Sequence, residues 1–238
     1  MTARTAETSP LFYARIAGFL YLIIIVFGIS SEAFIRSSLV VMEDANITAT
    51  NMMASEGLFR FGFLADSIMV LSDVAIAVLF YVLLKSVSKT LALTAAAFRL
   101  TQAAILGFNL LNYYAALLLL NGVEYATAFK SDQLNALALL FLDMHRHGYD
   151  LGLIFFGLSN IILGTLVVKS HHFPGILGYG LIAAAVVYLT GSFTLFLFPD
   201  YVALIEPIYI VPLIAEVSFC LWLLIKGVKV RPRVDFTP

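Results

Sequence analysis

Long apolar runs dominate the chain and predict six membrane-spanning helices. Each run approaches or exceeds the ~20 residues that a helix needs to cross a hydrocarbon core ~30 Å thick. The fold class that follows is all-α, a polytopic membrane helical bundle that forms one domain over residues 1–226. The predicted spans are roughly 14–36, 60–84, 91–120, 148–168, 174–198 and 205–226.

The stretch at 131–147 does not fit this pattern of six spans. Ser131 and Asp132 suit the N-terminal cap of a helix. Residues 134–142 are apolar except for Asn135 and are too few to cross a bilayer. The stretch predicts one further helical segment, which is either an interfacial helix or an outward extension of the fourth span, straight or bent at Gly148. A seventh complete span is the remaining alternative.

The distribution of Lys and Arg predicts the orientation, because basic residues near span ends favour the cytoplasmic side. With a cytoplasmic N-terminus, nine of the 14 basic residues lie inside. We therefore expect both termini to be cytoplasmic, the protein to lie in the inner (cytoplasmic) membrane, and residues 227–238 to form a basic cytoplasmic tail. The nine residues are Arg4, Arg15, Lys85, Lys89, Lys169, Lys226, Lys229, Arg231 and Arg233.

The composition supports a membrane protein and excludes some partners. The chain is 61% hydrophobic and 12% charged, whereas soluble domains are roughly 45–50% apolar and about 25% charged. The net charge of −1 provides no basic surface for nucleic acid. The expected partners are the lipid bilayer and a small-molecule ligand.

Arg99 lies inside the third apolar run, where a charged side chain is costly without an acidic partner. At 1.5 Å per residue, Asp73, Arg99 and Glu216 lie ~16, ~12 and ~15 Å from the cytoplasmic ends of their spans. We therefore predict a buried cluster that joins spans two, three and six. Such a cluster is either a charge staple that fixes helix packing or part of a proton or substrate relay.

Further polar residues on spans one to three predict a cavity above this cluster. Those on span three recur on one helical face, and lipid provides no hydrogen-bond partner, so we expect the set to face the bundle interior. The set predicts either a polar cavity open to the outer side and floored by the cluster, or interhelical hydrogen bonds without a cavity. The candidate ligand or relay residues are Asp66, Asp73, Arg99, Gln102, Asn109, Asn112, Glu216, Glu32 and Arg36.

A metal site is a further hypothesis for the start of span four. His145, His147 and Asp150, with Asp66 as a fourth ligand, have the side chains that zinc prefers. On a regular helix His145 and His147 point ~200° apart, so they converge only if the helix breaks at Gly148. No other cofactor is predicted.

Several of these polar positions resemble those of a known family. The resemblance is carried by residues 14–18, by Arg99 between Phe98 and Leu100, and above all by the stretch 147–157. These segments resemble the uncharacterised bacterial membrane family called domain of unknown function 4386, and the resemblance covers about 12–225. It implies a prokaryotic multi-span membrane protein, and it supplies no activity and no catalytic residues.

Three functional hypotheses remain open at this point. The first is a bundle that binds or transports a small ligand in its outer polar cavity. The second is a metal-dependent intramembrane hydrolase that acts at the outer leaflet, and the third is a non-catalytic membrane scaffold. The sequence therefore leaves open whether the protein is an enzyme.

Overall fold

A computed structural model describes residues 9–122 and 128–228 of the chain. The predicted tail lies outside the described residues from position 229 onwards, and so does Arg4. Within the described residues the chain forms seven helices. They are α1 (Pro10–Leu39), α2 (Ala45–Ala54), α3 (Glu56–Leu84), α4 (Lys89–Leu120), α5 (Ser131–Lys169), α6 (Gly175–Leu197) and α7 (Pro199–Ile225).

All helices except α2 are long and apolar enough to cross a membrane. The protein is therefore a multi-pass membrane protein with an all-α bundle, and the predicted fold class is confirmed. Successive spanning helices run in opposite directions. One end of the bundle carries the start of α1, the end of α7 and the short connectors at 85–88 and 170–174. We call this the termini end and the opposite end, which carries α2, the α2 end.

The stretch 131–147 extends the fourth span. Helix α5 is continuous over 39 residues, so the interfacial helix and the seventh span are wrong, and the helix does not break at Gly148. Gly148 instead allows close packing, because a Cβ atom there would overlap the side-chain amide of Asn109 on α4. A glycine inside a long helix thus serves helix–helix contact here rather than a break in the helix.

Helix α2 was not predicted, although its start has a clear signal. The Asp44 side chain accepts hydrogen bonds from the backbone N–H groups of Asn46 and Ile47, at 2.9 Å each, as an N-terminal cap does. Asn135 of α5 donates to the side chain of Asn46 at 2.8 Å, which ties α2 to the extension of α5. The last span also begins earlier than predicted, at Pro199, with short helical turns before Ile210.

Helices α1 and α7 are in close contact at the termini end. A Cβ atom at Gly18 would lie 2.8 Å from the backbone nitrogen of Leu224, and Cys220 donates to the carbonyl of Gly18 at 3.4 Å. The rings of Tyr21 and Phe219 pack edge to face nearby, with centroids 6.1 Å apart. The two helices are therefore fixed together at this end of the bundle.

Candidate functional site

A cavity of about 760 Å³ lies between the six spanning helices. It is lined by Ile25 and Gly28 of α1 and by Leu213 and Val217 of α7, beyond the point where these two helices touch. Its wall continues to Val40, Met42, Val202 and Glu206 at the α2 end of the bundle. The cavity therefore extends from the middle of the bundle towards the α2 end.

The cavity wall mixes apolar side chains with polar ones. Glu32, Arg36, Asp73, Gln102, Glu216, His145 and Asp150, all candidates from the sequence, contribute to it. Arg99, Asp66, Asn109, Asn112 and His147 do not line it. A cavity with polar groups in its wall is thus present, and so are the interhelical hydrogen bonds that were the alternative to it. Its opening to the outer side stays a prediction.

Asp73 and Gln102 form part of the cavity floor, with Arg99 behind them. An Nη atom of Arg99 lies 2.6 Å from Oδ1 of Asp73, and the Gln102 amide donates to Oδ2 of Asp73 at 3.1 Å. The guanidinium is 1% exposed and lies 4.8 to 5.8 Å from the ring centres of Phe156, Tyr21 and Phe80. The predicted pairing of Asp73 with Arg99 is therefore confirmed, and it joins α3 to α4.

Glu216 lies beside this pair but has partners of its own. Its Oε1 accepts hydrogen bonds from the hydroxyl of Tyr188, at 3.1 Å, and from the amide of Asn160, at 3.4 Å. Among the described residues it makes no ion pair within 4.0 Å, so the predicted three-membered cluster is wrong in its direct contacts. The reason is that α5 and α6 provide neutral donors closer to this carboxylate than Arg99.

Arg36 is the centre of a second ionic cluster, nearer the α2 end. Its Nε lies 2.7 Å from Glu32, and its Nη1 lies 2.6 Å from Asp66 of α3. Ser31 accepts a further hydrogen bond at 3.0 Å. The backbone forms a π-helical turn over Ser31–Arg36, a distortion that often marks functional positions. The expected Glu32–Arg36 pair is confirmed, and Asp66 joins it.

The middle of α4 is locked to α5 by a reciprocal pair of hydrogen bonds. The side chain of Asn109 donates to the carbonyl of His145 at 2.7 Å, and Nδ1 of His145 lies 3.2 Å from the carbonyl of Asn109. Asn112 donates to the Asn109 side chain at 3.0 Å. Asn109 is 3% exposed. This part of the predicted polar face is therefore used for helix packing.

The structure does not bring the proposed metal ligands close together. His145 and Asp150 line the cavity, where Asp150 accepts a hydrogen bond from Ser192 at 2.9 Å. His147 points elsewhere and contacts Asp143 on its own helix, at 3.4 Å. No group of three His, Cys, Asp or Glu side chains placed to hold a metal occurs within residues 9–122 and 128–228. Zinc binding stays a prediction.

The sequence interpretation missed several residues of the cavity wall, above all Tyr188 and Tyr209. Tyr188 lies in the apolar and small-residue run of α6, which reads as a packing helix. The available signal was its hydroxyl, because a tyrosine in the middle of a span needs a hydrogen-bond partner. Tyr209 lies in the turn at the start of α7, close to the predicted boundary at 205.

Comparison with known proteins places the chain in a family. The family described as "Domain of unknown function (DUF4386)" matches residues 16–227. The chain is also similar to a protein of Archaeoglobus fulgidus described as an uncharacterized protein. The two are 32% identical over 168 residues, which is 71% of this chain and 85% of the archaeal protein. No solved structure matches the chain. The chain belongs to the DUF4386 family.

Proposed function

We propose that this protein binds a small ligand in the cavity, either to carry it across the membrane or to sense it. The observation that supports this proposal most is the combination of a cavity of about 760 Å³ with a buried polar floor. Binding sites for small molecules typically measure 300–1,000 Å³ and combine apolar walls with a few polar groups. Glu216, Asp73 and Gln102 provide such groups in the middle of the membrane.

The position of the floor also supports this function. Glu216 is nine residues from the end of α7, about 14 Å along the helix axis. Ionisable groups at such depth are costly and are typical of substrate and ion pathways. A purely structural bundle would fill this space with apolar side chains, because dense packing stabilises a helical interior.

We further propose that the termini end faces the cytoplasm and that the cavity opens to the outer side of the cytoplasmic membrane. Lys85, Lys89 and Lys169 lie at the termini end, and the connectors at the α2 end carry more acid. This distribution follows the positive-inside rule. The ligand would then enter from outside the cell.

A cysteine on the cavity wall tests the proposal. The variant combines Leu153→Cys, on the wall of α5, with Cys220→Ser, which removes the natural thiol. We expect the purified protein to react with 2-hydroxyethyl methanethiosulfonate, because a thiolate forms only where water or polar groups reach the sulfur. Labelling of intact cells with a membrane-impermeant reagent would support the outward orientation.

Leu151 provides the matched control, because it lies two residues away, is 43% exposed on the bundle surface and does not line the cavity. In the Leu151→Cys variant the thiol faces lipid or detergent, and we expect slow modification. Equal rates at the two positions would overturn the proposal, since the cavity would then offer no access that the lipid-facing surface lacks.

A further inference from the structure

The cavity wall carries hydrogen-bond acceptors that lack donors. Gln102 gives its amide N–H to Asp73, and its Oε1 has no partner among the described residues. The reverse orientation of the amide would place two oxygens together, so the assignment is fixed by chemistry. Oε2 of Glu216 also makes no hydrogen bond within the described part of the chain. Both residues are more than nine-tenths buried.

His145 adds a third acceptor without a donor, and its position resembles that of Gln102. Its Nδ1 faces the backbone carbonyl of Asn109 at 3.2 Å, and a carbonyl only accepts hydrogen bonds. Nδ1 therefore carries the proton, and Nε2 is an acceptor. Nε2 is buried and has no partner within residues 9–122 and 128–228. Like Oε1 of Gln102, this atom is enclosed by the protein and has almost no contact with the cavity. Oε2 of Glu216 is not enclosed in this way, so it is the unpaired acceptor of the wall that a ligand N–H group can reach.

The charge at the deep end of the cavity also favours a ligand that carries N–H groups. Asp73 is neutralised by Arg99, but the hydrogen-bond partners of Glu216 are neutral. The cationic residues of the wall lie towards the α2 end: Arg36 is engaged by two carboxylates, and Arg146 is exposed. The remaining acids of the wall are Glu32, Asp150 and Glu206. A carboxylate inside the membrane is costly without a counter-charge, which a cationic ligand would provide.

The rest of the deep wall suits the apolar body of a ligand. Tyr188 donates a hydrogen bond to Glu216. The centre of its ring lies 5.3 Å from that of Phe156 and 5.9 Å from that of Tyr209. Aromatic faces attract cations as well as apolar groups. Aliphatic side chains such as Leu153 complete the enclosure.

We infer that the cavity takes an organic ammonium ion, with N–H groups directed at Glu216 and an apolar body among the aromatic rings. This inference rests on the function proposed above and names its ligand class. The same chemistry occurs in free amines and in the headgroup of phosphatidylethanolamine, and the experiments separate the two sources.

The charge preference is tested with the Leu153→Cys/Cys220→Ser protein in detergent. Two reagents of equal length are compared, 2-aminoethyl and 2-sulfonatoethyl methanethiosulfonate, each corrected for its rate with a small free thiol. We expect the cationic reagent to react faster at Leu153→Cys. Adding Glu216→Gln should abolish most of this preference, because glutamine keeps the hydrogen bonds from Tyr188 and Asn160 but carries no charge.

Glu206→Gln is the matched control, because it removes an equal charge from an exposed position at the mouth of the cavity. We expect it to leave most of the preference intact. A preference for the anionic reagent, or an equal loss in both glutamine variants, would overturn the assignment of the cation site to Glu216.

The ligand class is tested by asking which probes protect Leu153→Cys from the uncharged reagent 2-hydroxyethyl methanethiosulfonate. The probes are 4-phenylbutylammonium, 4-phenylbutanol and 4-phenylbutanoate, which share one body and differ in the head. We expect the ammonium to protect at concentrations at least about tenfold lower than the alcohol, the size of one charge-assisted hydrogen bond. Glu216→Gln should remove this advantage, and Glu206→Gln should not.

The outcomes separate this inference from the proposed function. Equal protection by all three probes overturns the inference of an ammonium ligand but leaves the proposed ligand-binding cavity standing. No reaction at Leu153→Cys overturns both. If the cysteine reacts but none of the three probes protects it, only the inference of an ammonium ligand is overturned. In phosphatidylcholine nanodiscs, protection by the free amine indicates a soluble ligand. Protection on adding phosphatidylethanolamine, without free amine, indicates the lipid headgroup.

Discussion

Two Arg–Asp pairs of equal length bind α3 to its neighbours, and their surroundings differ sharply. The nitrogen–oxygen distance is 2.6 Å in both Arg99–Asp73 and Arg36–Asp66. The side chains of Arg99 and Asp73 are 1% and 2% exposed, and aromatic rings enclose the guanidinium. Arg36 is 11% exposed and has a second carboxylate, Glu32, whose side chain is 72% exposed.

The comparison teaches that distance alone does not assign a role to an ion pair. Arg99 does not line the cavity, and its ion pair with Asp73 joins α4 to α3. Its Nε and Nη1 atoms have no partners in the described chain. Arg36 lines the cavity and belongs to a cluster that reaches the surface through the exposed side chain of Glu32. The surroundings of Arg99–Asp73 indicate a structural role. Those of Arg36–Asp66 are compatible with a role in ligand entry under the function proposed above.

The largest effect is expected from Arg99→Met. Removing the guanidinium leaves Asp73 buried without a counter-charge, and breaking a buried pair in this way typically costs about 3–5 kcal/mol. We expect a corresponding loss in the free energy of unfolding, measured by titration with a denaturing detergent in mixed micelles. In cells the variant should accumulate poorly in the membrane.

Arg99→Met combined with Asp73→Asn provides the control. Asparagine is neutral and its Oδ1 still accepts the hydrogen bond from Gln102, so no charge stays unpaired. The double variant should recover most of the lost stability, because neutral replacement of a buried pair is often tolerated. Wild-type stability in the single variant would mean that Arg99 is not the staple described above.

A smaller effect is expected from Arg36→Met. Asp66 is left without its cation and is itself 2% exposed, but Arg36 is 11% exposed and Glu32 reaches the surface. We therefore expect a loss below the ~3–5 kcal/mol that breaking a fully buried pair costs. Asp66→Asn in the same protein should restore part of it. Double-mutant cycles give the coupling energy of each pair, and a stronger coupling for Arg36–Asp66 than for Arg99–Asp73 would contradict the comparison.

Much of the fold follows from the chain's own pattern. The spans are long enough to dominate every local signal, and Arg99 had to face inward because lipid provides no partner. Equal depth then identified Asp73 as its partner, since two adjacent antiparallel helices bring matching depths together. Glu32 and Arg36 were predictable as well, because their spacing of four residues pairs them on any helix.

The rest depends on packing between helices that are distant in sequence. Glu216 has the right depth for Arg99, but its partners Tyr188 and Asn160 depend on how α5 and α6 are rotated, which depth does not determine. A glycine such as Gly148 can mark a break in a helix. Here it instead allows the side chain of Asn109 to pack closely against α5. The sequence also gave no sign of the π-helical turn over Ser31–Arg36, because π-helical turns have no strong residue preference that separates them from α-helix.

The smallest effect is expected from Glu32→Gln, and it tests the exposed side of the comparison. Glu32 is 72% exposed, and Arg36 keeps its shorter contact with Asp66 when the charge on Glu32 is removed. Glutamine Oε1 still accepts a hydrogen bond from Arg36. An exposed pair four residues apart on a helix contributes about 0.5 kcal/mol or less, so the free energy of unfolding should change little.

The same variant should nevertheless alter entry into the cavity, if the Arg36 cluster acts on the ligand rather than on stability. Glu32 lines the cavity and is exposed, and the loss of its charge makes the electrostatic potential there less negative. We expect slower modification of Leu153→Cys by 2-aminoethyl methanethiosulfonate, with a difference that shrinks as salt screens the exposed charge. A stability loss as large as that of Arg36→Met would instead make Glu32 an equal member of the ionic cluster, and the distinction between the two Arg–Asp pairs would fail at its exposed end.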